Sequence, residues 1–454
     1  MGNCRVGRCL IAIGLGILAL GNLSAGDVAI TIDVSKPTGP INPVYRDFGQ
    51  GGESADPAYL QPLEARMREL RPRLVRFDHV LIHYAKAEIK DGKMTVDFTA
   101  LDKYIDSIRA MGAQPLMCLS YAPTVFGNKA VIDPPADLDK WIELIYLTVR
   151  HVNVERKLGV KYWEVWNEPN LACFWTGSLD QYLDLYAATA KAALRADSTI
   201  KVGGGAFYSF DHKWITALMD YAKSQRLPLD FVSWHVYRDP NCGFVADVAQ
   251  ARTWLKERGM NAELIIDEWN FDGRLKPEND DNRGAAYVAK TLVKMIGCGL
   301  DYAPFFEIKD GPGPSRYYGR WGMFSADDHP KACYYAFKVF SMLDGKLLSL
   351  QGGTDKVGGL AAGKNGRAGI VLYNTEKKNA ATIDLNITGL GSGRVRVRKA
   401  VIDEKTCNPA GTGGDDGLEL VGKSLDVPVS GTLKMSVPLG AGSVTFISIE
   451  PTRQ

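Results

Sequence analysis

Between residues 45 and 345 the chain alternates short runs of β-branched and apolar residues with longer stretches whose apolar positions recur every three or four residues. The short runs read as strands, and the three-or-four spacing gathers apolar groups on one face of a helix. Eight strand candidates emerge, over residues 47–51, 74–78, 114–119, 162–167, 200–204, 231–235, 264–268 and 302–307. Between the fourth and the fifth, Leu179, Tyr182, Leu183, Tyr186 and Ala190 share a helical face, and another helix is predicted over 138–158. Eight such units predict an α/β fold, a (β/α)8 TIM barrel over residues 41–344. Beyond Gly345 the period changes to two. Residues 364–387 and 394–402 alternate apolar with polar side chains, separated by turn-forming residues 389–393 and a Gly-rich loop at 408–417. That texture predicts a C-terminal antiparallel β-sandwich domain over 345–454. Segment 26–40 contains Val-Ala-Ile-Thr-Ile with no helix after it, and is expected to add a strand to the C-terminal sheet.

The first 25 residues have a different character. Arg5 and Arg8 precede an apolar run from Cys9 to Leu20, and Ala25 offers a small residue for cleavage. This reads as a secretory signal peptide, placing the mature protein outside the cell or in the periplasm, with no membrane partner after cleavage. A retained anchor is the alternative, for which the apolar run is short. The start Met1-Gly-Asn-Cys has Val6 where a myristoylation site needs Ser or Thr. Losing the leader removes two arginines and no acids, so 54 basic residues become 52 against 52 acidic ones. A near-neutral chain without a block of Lys or Arg predicts no nucleic-acid partner. Cys118, Cys173, Cys242, Cys298, Cys333 and Cys407 remain, none at zinc or redox spacing, and are compatible with pairing or with service as small apolar groups.

Two glutamates, one hundred residues apart, close apolar strand candidates. Glu168 ends the run Tyr162-Trp-Glu-Val-Trp-Asn-Glu, and Glu268 ends Leu264-Ile-Ile-Asp-Glu. A carboxylate at the end of a buried strand carries a desolvation cost, accepted mainly where the group is paired or functional. Both would fall at the C-terminal rim of the barrel, where such folds place their sites. Two carboxyl groups, one neutral and one ionised, are what cleavage of a glycosidic bond requires. Pro169 stops further pairing and presents Glu168 at the rim, unless Glu168 merely caps the next helix. Asn167 can donate to and accept from a sugar hydroxyl. Alternation puts Asp267 and Glu268 on opposite faces, so only one is expected to point inward, and a one-residue shift of register would make it Asp267.

The run WEVWNEPNLACFW from Trp163 to Trp175, followed in order by DQYLDLY, KVGGG, DFVSWHVY and IIDEWN, resembles glycoside hydrolase family 39. The likeness extends upstream to DPPADLDKW, downstream to HPKACYYAFKVFSML, and reappears at Val401-Ile-Asp-Glu-Lys. Asn-Glu-Pro alone is common among barrel glycosidases, whereas the ordered set is specific. The resemblance implies a retaining exo-glycosidase with Glu168 as acid/base, Glu268 as nucleophile, and β-xylosidase as the leading activity. It also implies that Arg76 holds Glu268 anionic, that Tyr237 donates to the nucleophile and that His235 lines the sugar site; a surface ion pair for Arg76 and a core role for His235 are the alternatives. No metal or organic cofactor is implied, and the expected partner is a neutral carbohydrate.

Departures from the family pattern bear on the sugar. Where the pattern has a histidine two residues after the arginine, this chain has Asp78, followed by His79. Either His79 shifts into the role or a carboxylate reads the sugar hydroxyls. The eighth strand reads Phe305-Phe-Glu-Ile-Lys-Asp, with Phe306 in place of a tryptophan platform. Glu307 and Lys309 either pair with each other or contact ligand. Trp175, Trp269 and Trp321 are candidates for stacking on sugars and equally for core packing. α-L-arabinopyranosidase, β-glucosidase, β-galactosidase and iduronidase activities stay open, as does a non-catalytic carbohydrate-binding barrel.

Overall fold

The computed structural model describes residues 27–238, 241–411 and 425–452. The predicted leader and most of the Gly-rich loop lie outside the described residues. Strand β1 (Val28–Pro40) comes first, followed by β2 (Asp47–Gln50), β3 (Leu74–Phe77), the hairpin β4 (Lys86–Lys90) and β5 (Lys93–Asp97), and β6 (Gln114–Leu119). Then come β7 (Tyr162–Val165), β8 (Lys201–Phe207), β9 (Phe231–Tyr237), β10 (Glu263–Asn270) and β11 (Phe305–Phe306). Parallel pairing runs β2-β3-β6-β7-β8-β9-β10-β11 and returns to β2, closing an eight-stranded barrel. Helices α1 (Glu64–Glu69), α2 (Thr99–Ala110), α3 (Leu138–Val149), α4 (Leu179–Ala196), α5 (His212–Ser224), α6 (Phe244–Arg258), α7 (Asn282–Gly297) and α8 (Ala332–Ser341) accompany it.

Local chemistry sets the helix starts. Ser178 and Gln181 form a reciprocal capping box at α4, and Asp137, Asp211 and Asp281 accept backbone N–H groups at the starts of α3, α5 and α7. The helix predicted over 138–158 is shorter: α3 gives way to a π-helical turn at Arg150–Glu155. There the Asn153 side chain bonds both the N–H and the carbonyl of Val160, at 2.8 and 2.9 Å, and steers the chain toward β7. The eighth strand is reduced to Phe305–Phe306, with Tyr302 joined to Ile265 by a single bridge.

Strand periodicity builds the barrel interior in layers. Leu74, Leu116, Tyr162, Phe231 and Ile265 form an apolar plug with Tyr302 beneath them. Two residues further along the same strands stand Arg76, Cys118, Glu164, Ser233 and Asp267, all fully buried. The interior therefore changes from oil to charge within one pleat, and the polar layer forms the floor of the site.

The remaining strands are β12 (Lys346–Gly352), β13 (Val357–Lys364), β14 (Arg367–Asn374), β15 (Ala381–Ile402), β16 (Leu425–Leu439) and β17 (Ser443–Pro451). They form one seven-stranded sheet with β1, in the order β1-β12-β13-β14-β17-β15-β16. The 22-residue β15 also pairs with β1, so the sheet curls back on itself into a small β-barrel or sandwich. The β1–β15 pairing is parallel, an exception to the antiparallel expectation. Helix α7 packs against β13, β14 and β17, and Asn282 donates to the carbonyls of Ala441 and Gly442. The six cysteines among the described residues are free thiols. Phe231→Ala removes the largest apolar ring of the plug, and we expect destabilisation by about 3–5 kcal/mol, read as a lowered urea midpoint.

Candidate active site

Arg76 projects from β3 into the barrel and is fully buried. Its Nε lies 2.6 Å from Glu164 and 3.2 Å from Asp267, Nη1 lies 2.7 Å from Glu268, and Nη2 donates to Asn167 at 2.8 Å. One planar cation thus reaches side chains on β7, on β10 and in the turn after β7. Glu164 also accepts from the Ser233 hydroxyl at 2.7 Å.

The expectation that Asp267 and Glu268 face opposite ways is corrected by a β-bulge. Ile266 pairs with Trp234 and Glu268 with His235, which leaves Asp267 as an extra residue in β10. An extra residue breaks the alternation, so two consecutive carboxylates turn inward. Trp269 is thereby sent outward: it is fully buried against Phe305, Phe337 and Tyr287, and donates to the Ala303 carbonyl at 2.8 Å.

His235 stands between the acids. Its Nδ1 lies 2.8 Å from Glu168 Oε1 and 3.5 Å from Glu268 Oε2, while Nε2 lies 3.2 Å from Asp267. One imidazole nitrogen thus stands between the two carboxyl groups. Tyr237 donates to Glu268 Oε2 at 2.5 Å. Glu168 follows a turn in which Trp166 and Glu168 both have left-handed backbone, φ +68° and +50°. Such a conformation costs a non-glycine residue about 1–3 kcal/mol. The Glu168 N–H is held on the Ala206 carbonyl at 2.9 Å.

Protonation is decided by burial and by sharing. Burial pushes the Glu268 carboxyl up to about 7, against the pull of His235 and Arg76. The same desolvation raises Glu164 to about 7. Arg76 pulls Glu268 toward the anion, but the guanidinium is divided among Glu164, Asp267 and Glu268, so no single carboxylate receives its full charge. Burial opposes the His235 charge too, but the facing Glu268 and Asp267 outweigh it and hold the imidazole well above its ordinary range. Both ring nitrogens are then donors.

Above this floor opens a cavity of about 410 Å³ lined by residues that include Glu168, Glu268, Asn167, Asp78, His79, Tyr237, Phe306 and Trp321. Asp78 and His79 both face it, 2.7 Å apart, with His79 in a left-handed turn at φ +56°. Arg76 and His235 lie beneath the cavity and do not line it, which corrects the expectation for His235. Glu307 is also underneath, accepting from Gln50 at 2.8 Å, and Lys309 turns away to Asp328 at 2.7 Å, so these two do not pair. Trp175 is buried against Trp166 and Tyr182, away from the cavity. Among the described residues, none from the β-domain lines it.

Sequence reasoning missed Glu164, Glu53, Arg320, Phe174 and Tyr208. Glu164 carried a usable signal, since it is two residues from apolar Tyr162 on the inward face of the same strand. The others sit in loops, where no periodicity points at the cavity.

Comparison with known proteins gives a consistent picture. The family model described as "Glycosyl hydrolases family 39" matches residues 28–417. A β-xylosidase of Caldicellulosiruptor saccharolyticus is 28% identical over 361 residues, covering 71% of this chain and 73% of its own length. One from Geobacillus stearothermophilus is 28% identical over 411 residues, covering 79% of each chain. In fold, the chain is similar to the crystal structure of a GH39 enzyme from Xanthomonas axonopodis pv. citri, with a TM-score of 0.79, 22% identity, and coverage of 97% of this chain and 100% of the other.

Replacing Arg76 by Met strands buried carboxylates, and we expect a loss of about 3–5 kcal/mol in unfolding free energy. Tyr237→Phe removes one donor at the cavity wall and should unfold within about 1.5 kcal/mol of the parent in the same urea titration.

Proposed function

The chain belongs to glycosyl hydrolases family 39, a retaining family of glycosidases acting on carbohydrate, and from that premise we propose an exo-acting β-xylosidase with Glu268 as nucleophile and Glu168 as acid/base. The observation that carries this reading is the pair of carboxylates met by one nitrogen of His235, with both acids lining one cavity. In the first step a Glu268 oxygen attacks the anomeric carbon, and the glycosidic oxygen leaves with the proton of Glu168. In the second, Glu168 takes a proton from water, the water oxygen attacks the same carbon, and Glu268 is released. His235 supports the division of labour. By donating to Oε1 of Glu168 it leaves the other oxygen to carry the mobile proton, and Tyr237 and Arg76 fix the two oxygens of Glu268 in attacking position. Phe306 and Trp321 supply apolar faces for the sugar ring. The kinship of the two 28%-identical β-xylosidases favours xylose among the neutral sugars. We also propose export, on the strength of Arg5, Arg8 and the apolar run that follows them.

A panel of aryl glycosides tests the sugar, with the xyloside expected to give the highest kcat/KM. Glu268→Gln should lose at least about 10⁴ of kcat, and Glu168→Gln about 10²–10⁴, recovering with an activated leaving group. Turnover by Glu268→Gln at the parental rate would remove the assignment. The acid limb of kcat/KM should fall near pH 7, because a carboxyl pushed up to about 7 is protonated and unreactive below that value. Glu164→Gln frees more of the Arg76 charge for Glu268, lowers the pKa of Glu268, and should move that limb to lower pH.

A further inference from the structure

One wall of the cavity is made of charge that is already matched. Glu53, in the loop after β2, is hydrogen-bonded to Nη2 of Arg320, in the loop after β11, and both residues line the cavity. The side chains are 16% and 22% exposed, so the pair is largely removed from water while still reachable by a ligand. Arg320 also stacks on Trp321 at 4.9 Å. Behind it, Nε lies 3.5 Å from Oε1 of Glu307, and neither atom has a hydrogen-bond partner. Glu307 is fully buried, and its burial, together with Glu53 and Asp310, pushes its carboxyl well above the ordinary range. Glu53 is thus the carboxylate that Arg320 hydrogen-bonds directly, with Glu307 more distant behind it.

The neighbouring pair, Asp78 and His79, is matched in the same way at 2.7 Å. The two pairs are in close register, because Gly52 packs on the His79 ring so tightly that a Cβ there would lie 2.3 Å from Nδ1. Among the described residues the lining contains one guanidinium, that of Arg320, and one imidazole, that of His79, and each is committed to its own carboxylate. The remaining charged groups of the lining, Glu168 and Glu268, are acids.

We propose that Glu53 and Arg320 are specificity-determining residues that reserve the cavity for an uncharged glycone: Glu53 cancels the guanidinium, and the pair offers its acceptor oxygens and remaining N–H groups to the hydroxyls of a neutral sugar. A uronate entering the same cavity meets the carboxyl groups of Glu53, Asp78, Glu168 and Glu268 and no cation free to receive it. Its rejection is electrostatic, and Glu53 is the residue that withholds the guanidinium from it. This inference deepens the glycosidase reading and rests on it.

Calorimetric binding of monosaccharides separates the two claims, because it needs no turnover. The probes are D-glucuronate and whichever of xylose, glucose, galactose and arabinose binds the parent protein best. The parent should favour the neutral sugar by roughly tenfold or more. Glu53→Gln frees the guanidinium and should tighten glucuronate by roughly tenfold while weakening the neutral sugar. Adding Arg320→Gln should abolish that gain, and Glu53→Asp, which keeps the charge, should retain the parental preference. Thermal unfolding of each variant confirms that the folded protein is being measured. Glucuronate binding that does not tighten in folded Glu53→Gln, or a parent that binds glucuronate as well as the neutral sugar, would overturn the proposal. A reversed preference in a protein that cleaves no glycoside would sustain the charge argument and sink the glycosidase reading instead.

Discussion

A single guanidinium holds this molecule's chemistry together. Arg76 is buried at the height where the barrel interior turns from apolar to ionic, and it touches Glu164, Asp267, Glu268 and Asn167 at once. Burying an ion is costly unless the surroundings are strongly matched, and here the match comes from different strands. The charge that orients Glu268 therefore also ties β3, β7 and β10 together, and site and scaffold are not separable at this point. Burial pushes the Glu268 carboxyl up to about 7, and a cation divided among several acids offsets that only in part.

Much of the barrel was legible because its signals are periodic. All eight strand candidates correspond to barrel strands, and the inward parity that places Leu74 in the plug also places Arg76 above it. Glu168 and Glu268 could be read from the ends of buried runs. What parity could not supply was the bulge at Asp267, since an inserted residue is defined by its partner strand and leaves no mark on its own sequence. Of the two roles open to Trp269, core packing is the one the structure shows, and the extra residue before it sets the face it occupies.

The cavity walls were less legible. Glu53 and Arg320 are 267 positions apart and meet because β2 and β11 are adjacent where the barrel closes. Loop residues are positioned by the scaffold and not by local spacing, so their juxtaposition is a property of topology. The outward turn of Lys309 has the same origin. Its partner, Asp328, and the Tyr59 ring beneath it belong to loops that nothing in the eighth strand's own pattern announces.

The apolar plug of Leu74, Leu116, Tyr162, Phe231 and Ile265 has a consequence for proton traffic. It offers the acidic layer no hydrogen-bonding side-chain atom except the Tyr162 hydroxyl, which is turned to Tyr302 at 3.1 Å. Protons are therefore traded among Glu164, Asp267, His235 and the two cavity glutamates, and toward the cavity, not down into the plug, so these groups titrate as one network and not as separate acids.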